Sequence, residues 1–130
     1  MSTDLFDAAL KAREAAYAPY SDFKVGAAIR TPDGQIYTGC NVENAAYPEG
    51  TCAEAGAIAA MVSAGETCIA ELVVVGGGDA LCTPCGGCRQ KIREFASETT
   101  PIHIAGPEGI RQSTTLGQLL PQSFGPENLE

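Results

Sequence analysis

The alternation of apolar and polar positions predicts a helix followed by a hairpin in the first third of the chain. Over residues 5–17 apolar side chains recur at helical spacing, and Pro19 follows the last of them. Two strand-like runs, residues 23–30 and 35–40, flank a Thr-Pro-Asp-Gly turn. Proline and Asp-Gly are typical of tight reversals, so these runs predict two antiparallel strands.

The remaining pattern alternates helices and strands. Residues 53–64 are rich in Ala, Ile and Met and predict a buried helix, whereas the β-branched run 70–76 predicts an interior strand. A further helix is expected after Pro84, a strand around 102–104 and a short helical turn over 116–121. The order predicts an α/β fold with helices packed on a mixed sheet.

Length and composition are those of one domain spanning residues 1–130. The chain has 45% apolar residues, and no internal period is visible. It begins without a basic stretch before an apolar core, and no run approaches the roughly 18 apolar residues of a membrane span. We therefore expect a soluble, cytoplasmic protein with no membrane partner, whose six cysteines are free or metal-bound.

The net charge narrows the substrate class. With 16 acidic and 8 basic side chains, the formal charge is −8, and no run of Lys or Arg is present. Nucleic-acid binding depends on neutralising phosphates, so we expect no nucleic-acid partner. A small, uncharged substrate is favoured.

Three cysteines carry the candidate chemistry. Cys52 lies two residues before Glu54, and Cys85 and Cys88 follow Pro84 with Cys-x-x-Cys spacing. Structural zinc takes four protein ligands, whereas catalytic zinc keeps one position open for water. Three thiolates beside a non-ligating carboxylate therefore predict a catalytic zinc site.

Helix geometry allows these residues to meet. Cys52 and Glu54 can converge only just beyond the N-terminal end of their helix, and Pro84 favours a helix start that places Cys85 and Cys88 in a first turn. Two helix N-termini would then face one metal, and their N–H groups would favour ionised thiols. Glu54 could transfer a proton from an activated water to a leaving amine, the chemistry of the zinc deaminases.

Further sequence motifs lie outside the two cysteine motifs and are spread over nearly the whole chain. The segments are Tyr-Ala-Pro-Tyr-Ser at 17–21, Phe-x-Val-Gly-Ala at 23–27, Gly-Cys-Asn-Val-Glu-Asn at 39–44 and Ser-Phe-Gly at 123–125. With both cysteine motifs, they resemble the short, homotetrameric class of cytidine deaminases. The resemblance implies a three-layer α/β/α sandwich with a mixed five-stranded sheet. It also implies hydrolytic deamination of cytidine and 2′-deoxycytidine, for pyrimidine salvage.

The same resemblance implies roles at the metal and the base. Cys52, Cys85 and Cys88 match the ligands of one Zn²⁺ per chain, and Glu54 matches the proton-shuttling catalytic glutamate. The backbone N–H of Ala53 and the carbonyl of Thr83 match groups that read the base edge.

Other matched positions surround the sugar. Asn41 and Glu43 match the pair that holds the ribose 3′-hydroxyl, and Phe23 matches a ring that lines the nucleoside pocket. Phe124, Ala45 and Tyr47 match residues that approach a pocket across a subunit boundary. The resemblance thus implies a homotetramer with shared active sites.

One position departs from the family pattern. Many members carry arginine after the catalytic glutamate, where its charge offsets a thiolate, but this chain has Ala55. Arg89, beside Cys88, and the helix N-termini are the candidates to replace that charge.

Other interpretations stay open at this point. Cys82 offers a rival ligand pair with Cys85, although we expect Cys40, Cys68 and Cys82 to be buried as small apolar residues. His103 is expected to be packed or surface-exposed in a strand. The main alternative function is deamination of another aminopyrimidine, either a blasticidin S-type antibiotic or a free base. A polynucleotide deaminase and a structural zinc module, with Cys82 or His103 as fourth ligand, are the others.

Overall fold

The computed structural model describes residues 2–130, which form five strands and four α-helices. Two short 3₁₀ turns, Tyr47–Glu49 and Pro126–Leu129, complete the regular structure. The elements in chain order are α1 (Ser2–Glu14), β1 (Gly26–Arg30), β2 (Ile36–Cys40), α2 (Ala53–Ser63), β3 (Glu71–Val75), α3 (Gly86–Arg93), β4 (Pro101–Gly106), β5 (Gly109–Thr115) and α4 (Leu116–Leu119).

The strands form one mixed sheet in the order β2-β1-β3-β4-β5. Strands β3 and β4 are parallel, and the other neighbours are antiparallel. A parallel pair needs a crossover connection, and here the crossover contains α3. The cysteine motif at the start of α3 therefore follows the loop that leaves the C-terminal end of the central strand β3.

Apolar side chains cover both faces of the sheet. Ile29, Leu72 and Val74 point into the larger core with α2 and α3, while Val73 and Val75 pack on the other face against α1. The predicted three-layer α/β/α sandwich is confirmed. Because α2 and α3 share one face, their N-termini can meet at the same end of the sheet.

Gly39 permits the close packing of α2 on the sheet. A Cβ atom at this position in β2 would overlap backbone atoms of α2 at Ala53 and Ala57. Only glycine, which lacks that atom, leaves room for the helix at this distance. The first turn of α2 is consequently fixed against the edge strand, beside the loop that contains Asn41.

The first helix is displaced from its predicted bounds. It spans Ser2–Glu14 rather than 5–17, and Pro19 does not determine its end. The backbone N–H of Tyr17 instead donates to the Asn41 carbonyl, and the Tyr17 carbonyl accepts from Glu43 N–H. These tertiary bonds need extended backbone at Tyr17, so the helix ends earlier than its apolar pattern indicates.

The predicted hairpin, the two later helices and both central strands are present within a few residues of their expected bounds. The strand pattern did not predict β5, whose sequence GIRQSTT is mostly polar. It is an edge strand beside β4, and such strands bury too little surface to require an apolar pattern. The count of five strands that the resemblance implied is confirmed. No helix within residues 2–130 combines the length and apolar character needed to cross a bilayer.

Candidate active site

Two helix N-termini converge on a cluster of three cysteines. Cys52 is the N-cap residue of α2, Cys85 is the N-cap residue of α3, and Cys88 lies in the first turn of α3. Their three Sγ atoms all lie within 4.8 Å of one another, with 3.8 Å between those of Cys52 and Cys85. The structure thus brings together the three ligands expected from the sequence.

The sulfur separations fit a tetrahedral zinc ion. Zn–S bonds of about 2.3 Å at tetrahedral angles put two ligand sulfurs roughly 3.8 Å apart. Cys52 and Cys85 already show this spacing. Three sulfur ligands would leave the fourth position free, as in catalytic zinc sites.

Neither proposed fourth ligand belongs to this cluster in the described part of the chain. Cys82 lies outside the group of three. His103 is buried on the sheet, where its Nε2 lies 2.6 Å from Glu71 Oε2 and its Nδ1 lies 2.7 Å from Ser113 Oγ. The expectation that His103 is packed in a strand is confirmed, and a closed four-ligand zinc site is not formed.

The helix N-termini do not favour all three thiolates equally. The backbone N–H of Cys88 lowers the pKa of Cys85, as expected at a helix start. Burial raises the pKa of Cys52 and of Cys88. The backbone contribution expected at a helix start therefore acts on Cys85, whereas burial opposes ionisation of the Cys52 and Cys88 thiols.

Glu54 is a buried carboxyl group next to the cluster. It occupies the first turn of α2, is 4% exposed and lines the same cavity as Cys52 and Cys85. Burial raises the pKa of its carboxyl group, while its own backbone N–H and the charge of Lys91 oppose that shift. A carboxyl with a raised pKa beside a reacting group is typical of a general acid or base.

A cavity of about 330 Å³ extends from this cluster towards the loop after β2. Several predicted site residues line it: Asn41, Glu43, Tyr47, Cys52, Ala53, Glu54, Thr83 and Cys85. The volume is at the small end of the range for ligand pockets. The cavity joins the metal cluster to the predicted sugar-binding side chains.

The side chains of Asn41 and Glu43 organise the loop before β1. Asn41 Oδ1 accepts from Val25 N–H at 2.8 Å, and its Nδ2 donates to the Phe23 carbonyl at 2.8 Å. The Glu43 carboxylate accepts from Tyr20 N–H at 2.9 Å and from the Ser21 hydroxyl and N–H. An amide offers four hydrogen bonds and a carboxylate about four acceptor sites, so both groups retain capacity for a ligand.

Four of the predicted site residues contribute little or nothing to the wall of the cavity. Tyr47 lines it but is 76% exposed, while Ala45 and Phe124 are exposed and do not line it. Phe23 is also absent from the lining, although its ring lies near Gly76 and Cys82. Within one chain, the structure does not bring these three side chains to the cavity.

The cavity also contains residues that the sequence did not single out for binding. Val25, Val42, Gly50 and Thr51 contribute to its wall, as does Cys82. Thr51 and Val42 pair through backbone bonds, a long-range contact without a sequence signal. Cys82 is half-buried, and burial raises its pKa to about 11. Its position immediately before Thr83, a predicted base-contacting residue, is the sequence feature that could have indicated its place in the cavity wall.

Two further expectations need correction. Cys68 is exposed rather than buried, and Cys40 and Cys82 are only partly buried. Arg89 donates from Nε to the Pro84 carbonyl at 2.7 Å and from Nη1 to the Leu119 carbonyl at 2.8 Å. Its hydrogen bonds therefore hold backbone around α3 rather than a thiolate.

The family of the chain follows from its sequence as well as this geometry. The family model for the cytidine and deoxycytidylate deaminase zinc-binding region matches residues 2–104. The chain belongs to this zinc-binding deaminase family. Zinc is accordingly the metal for which the Cys52, Cys85 and Cys88 cluster is suited.

Known cytidine deaminases are similar to this chain in sequence and in fold. A cytidine deaminase from Sporosarcina psychrophila is 45% identical over 119 residues, covering 92% of this chain and 88% of the relative. The crystal structure of cytidine deaminase from Burkholderia pseudomallei superposes with a TM-score of 0.90 at 43% identity, covering 95% of this chain and 99% of that one. The corresponding structure from Mycobacterium tuberculosis gives a TM-score of 0.82 at 40% identity, covering 95% and 97%.

Proposed function

We propose that this protein deaminates cytidine and 2′-deoxycytidine, giving uridine and 2′-deoxyuridine with release of ammonia. The observation that carries the proposal is the three-cysteine cluster beside the buried Glu54 at one end of a cavity. Relatives of similar length are cytidine deaminases. Together they support an enzyme that hydrolyses an exocyclic C–N bond.

The three cysteine thiolates hold the zinc ion, and Glu54 moves protons. A bound zinc ion supplies Lewis acidity that makes water nucleophilic near neutral pH. Glu54 takes a proton from the attacking water and delivers it to the ring nitrogen N3. The bond from C4 to oxygen forms, the bond from C4 to the amino group breaks, and a second proton transfer through Glu54 releases ammonia.

Backbone groups at the helix start orient the base. Ala53 is the first residue of α2, so its N–H has no partner within the helix and can donate to the base. The Thr83 carbonyl accepts from the amino group at the opposite side of the cavity. Asn41 and Glu43 bind the ribose 3′-hydroxyl with their remaining hydrogen-bonding capacity, and Phe23 packs against the nucleoside.

A substrate series tests this assignment. We expect ammonia release from cytidine and 2′-deoxycytidine, and release at least about 10³-fold slower from cytosine, since the sugar-binding groups are then left without partners. A blasticidin-type aminopyrimidine and a cytosine-containing oligonucleotide complete the series. Faster reaction with the free base or the antibiotic would replace the nucleoside assignment, and efficient deamination of the oligonucleotide would contradict the argument from a net charge of −8.

The active site is proposed to be shared between subunits of a homotetramer. Phe124 is 58% exposed and Tyr47 is 76% exposed, and large exposed aromatic side chains are characteristic of interfaces. Mass determination in solution should give four chains per particle. Mixed particles of Glu54→Gln and Phe124→Ala chains should be more active than either parent, and an active monomer would overturn the proposal.

Two properties of the whole chain complete the proposal. We infer a single domain for this chain, and the observation that supports it is that both cores of residues 2–130 share the strands of one sheet. One cooperative unfolding transition is expected. The thiolate ligands favour a reducing compartment, which supports location in the cytoplasm.

A further inference from the structure

A zinc ion bound by three thiolates gives a negatively charged centre, which a nearby cation would stabilise. Three thiolates and one Zn²⁺ sum to a net charge of −1. Position 55, where many relatives were expected to carry arginine, is alanine, and Arg89 is engaged by two backbone carbonyls. Position 55 therefore supplies no charge, and the hydrogen bonds of Arg89 direct its guanidinium group to backbone carbonyls rather than to a thiolate.

Lys91 lies on α3 one turn after the cysteine motif. Its Nζ is 3.7 Å from the point that a Cβ on Gly87 would occupy, so its side chain runs back along the helix towards the N-terminus. Gly87 directly precedes the ligand Cys88. Within residues 2–130 Lys91 forms no ion pair, although Glu94 lies one turn further on.

Ala55 and Lys91 line the same groove between α2 and α3. The alanine methyl group leaves this groove open next to the first turn of α2, and the lysine side chain approaches it from α3. The ammonium group of Lys91 therefore lies between this groove and the first turn of α3, which contains the ligand Cys88.

Side chains of a helix lean towards its N-terminus, so the ammonium group of Lys91 lies over the first turn of α3. A cation over the first turn of a helix opposes the positive end of the helix dipole. A zinc centre with net charge −1 at the same helix end reverses that balance, because it attracts the ammonium group. Glu94, the neighbouring anion on α3, lies on the side of Lys91 away from the cysteines.

We propose that Lys91 supplies the positive charge that offsets the anionic zinc centre in this chain, the role that the family resemblance assigns to an arginine at position 55. Lys91 is then a positioning residue that acts through the metal centre and touches neither substrate nor reacting atoms. This inference rests on the proposed zinc-dependent function.

A charge series at position 91 tests it through zinc affinity. Zinc dissociation constants are measured on purified protein by competition with a chromophoric chelator at neutral pH. Lys91→Arg should bind zinc as the wild type does, Lys91→Met should bind roughly fivefold more weakly, and Lys91→Glu more weakly again. The differences should shrink at high salt, because Lys91 is exposed.

Two further variants separate charge from structure. Lys91→Met combined with Ala55→Arg should recover wild-type zinc affinity, since the charge returns to the same groove. Lys11→Met, which removes an exposed lysine from α1 on the opposite face of the sheet, should leave zinc affinity unchanged.

The results that overturn the proposal are equally specific. Equal zinc affinity across the position 91 series, or an equal loss in Lys91→Arg and Lys91→Met, would exclude a charge role. Ammonia release from cytidine is recorded on the same samples. A zinc-loaded wild type that releases no ammonia would count against the proposed function, without altering the comparison of zinc affinities.

Discussion

The two ends of the cavity are built differently. At the metal end, Cys52 is an N-cap residue and Glu54 and Cys88 belong to the first turns of helices that pack on the larger core. At the sugar end, Asn41 and Glu43 lie in a loop, and the aromatic side chain of Tyr47 is mostly exposed. The metal end is complete within one chain, whereas the sugar end leaves aromatic surface uncovered. The metal cluster is thus positioned by helices, whereas the residues proposed to contact the substrate lie in a loop.

Removal of a metal ligand should have the largest effect. Cys85→Ser weakens the cluster at the N-cap residue of α3, and we expect loss of zinc and a fall in kcat/KM of roughly 10⁴ or more. Metal analysis and ammonia release measure the two quantities. Cys68→Ser is the matched control, because Cys68 is exposed and outside the cluster. Full activity of zinc-free Cys85→Ser would refute the zinc chemistry.

Phe124 tests whether the sugar end of the cavity needs a side chain that one chain alone does not bring to it. Phe124→Ala should raise KM for cytidine by about tenfold, corresponding to about 1.4 kcal/mol, while zinc content stays at one ion per chain. The aromatic ring is exposed, so its removal should not destabilise the subunit itself. An unchanged KM would show that the sugar end is complete without this side chain.

Asn41 should matter for both the loop and the substrate. Asn41→Ala removes the hydrogen bonds with Val25 N–H and the Phe23 carbonyl, and a loss of about 2 kcal/mol in unfolding free energy is expected. Urea unfolding measures this loss, and hydrogen exchange should accelerate in residues 20–25. Asn44→Ala provides the control, because the Asn44 side chain accepts from Ala46 N–H two residues away rather than from a distant segment. Equal effects of the two substitutions would remove the special role of Asn41.

The smallest expected effect is a pH dependence at Glu43. Hydrogen bonds from the Ser21 hydroxyl and the Tyr20 N–H lower the pKa of this carboxyl group below its ordinary value of 4.5. The carboxylate therefore stabilises the loop above that value, and the contribution disappears as the pH falls through the lowered pKa. The stability advantage of the wild type over Glu43→Gln should shrink from pH 7 towards pH 3. A difference in stability that stays constant with pH would mean that the charge of Glu43 does not contribute to the stability of the loop.

The same contrast explains what the sequence could predict. The metal end depends on short-range patterns: Cys52 and Glu54 are two residues apart, and Pro84 marks the start of the helix that carries Cys85 and Cys88. Local spacing and helix geometry suffice to bring such residues together. The three sulfur atoms lie where that reasoning puts them.

The parts that sequence patterns missed depend on tertiary contacts. The backbone of Tyr17 pairs with the segment around Val42, which ends α1 at Glu14 despite apolar residues beyond it. Strand β5 is polar because it lies at an edge, so alternation could not reveal it. Cys82 enters the cavity wall because the loop after β3 packs its side chain against Gly76. None of these contacts leaves a periodic signal.

In the proposed reaction, zinc and Glu54 together hydrolyse the bond between C4 of cytidine and its amino group. The direct measurement is ammonia release from cytidine by zinc-loaded wild type and zinc-loaded Glu54→Gln, with metal content determined for both. We expect release by the wild type and a rate lower by about 10²–10⁴-fold or more in the variant at equal zinc content. Equal rates for the two proteins would contradict the assignment of Glu54 as the proton carrier.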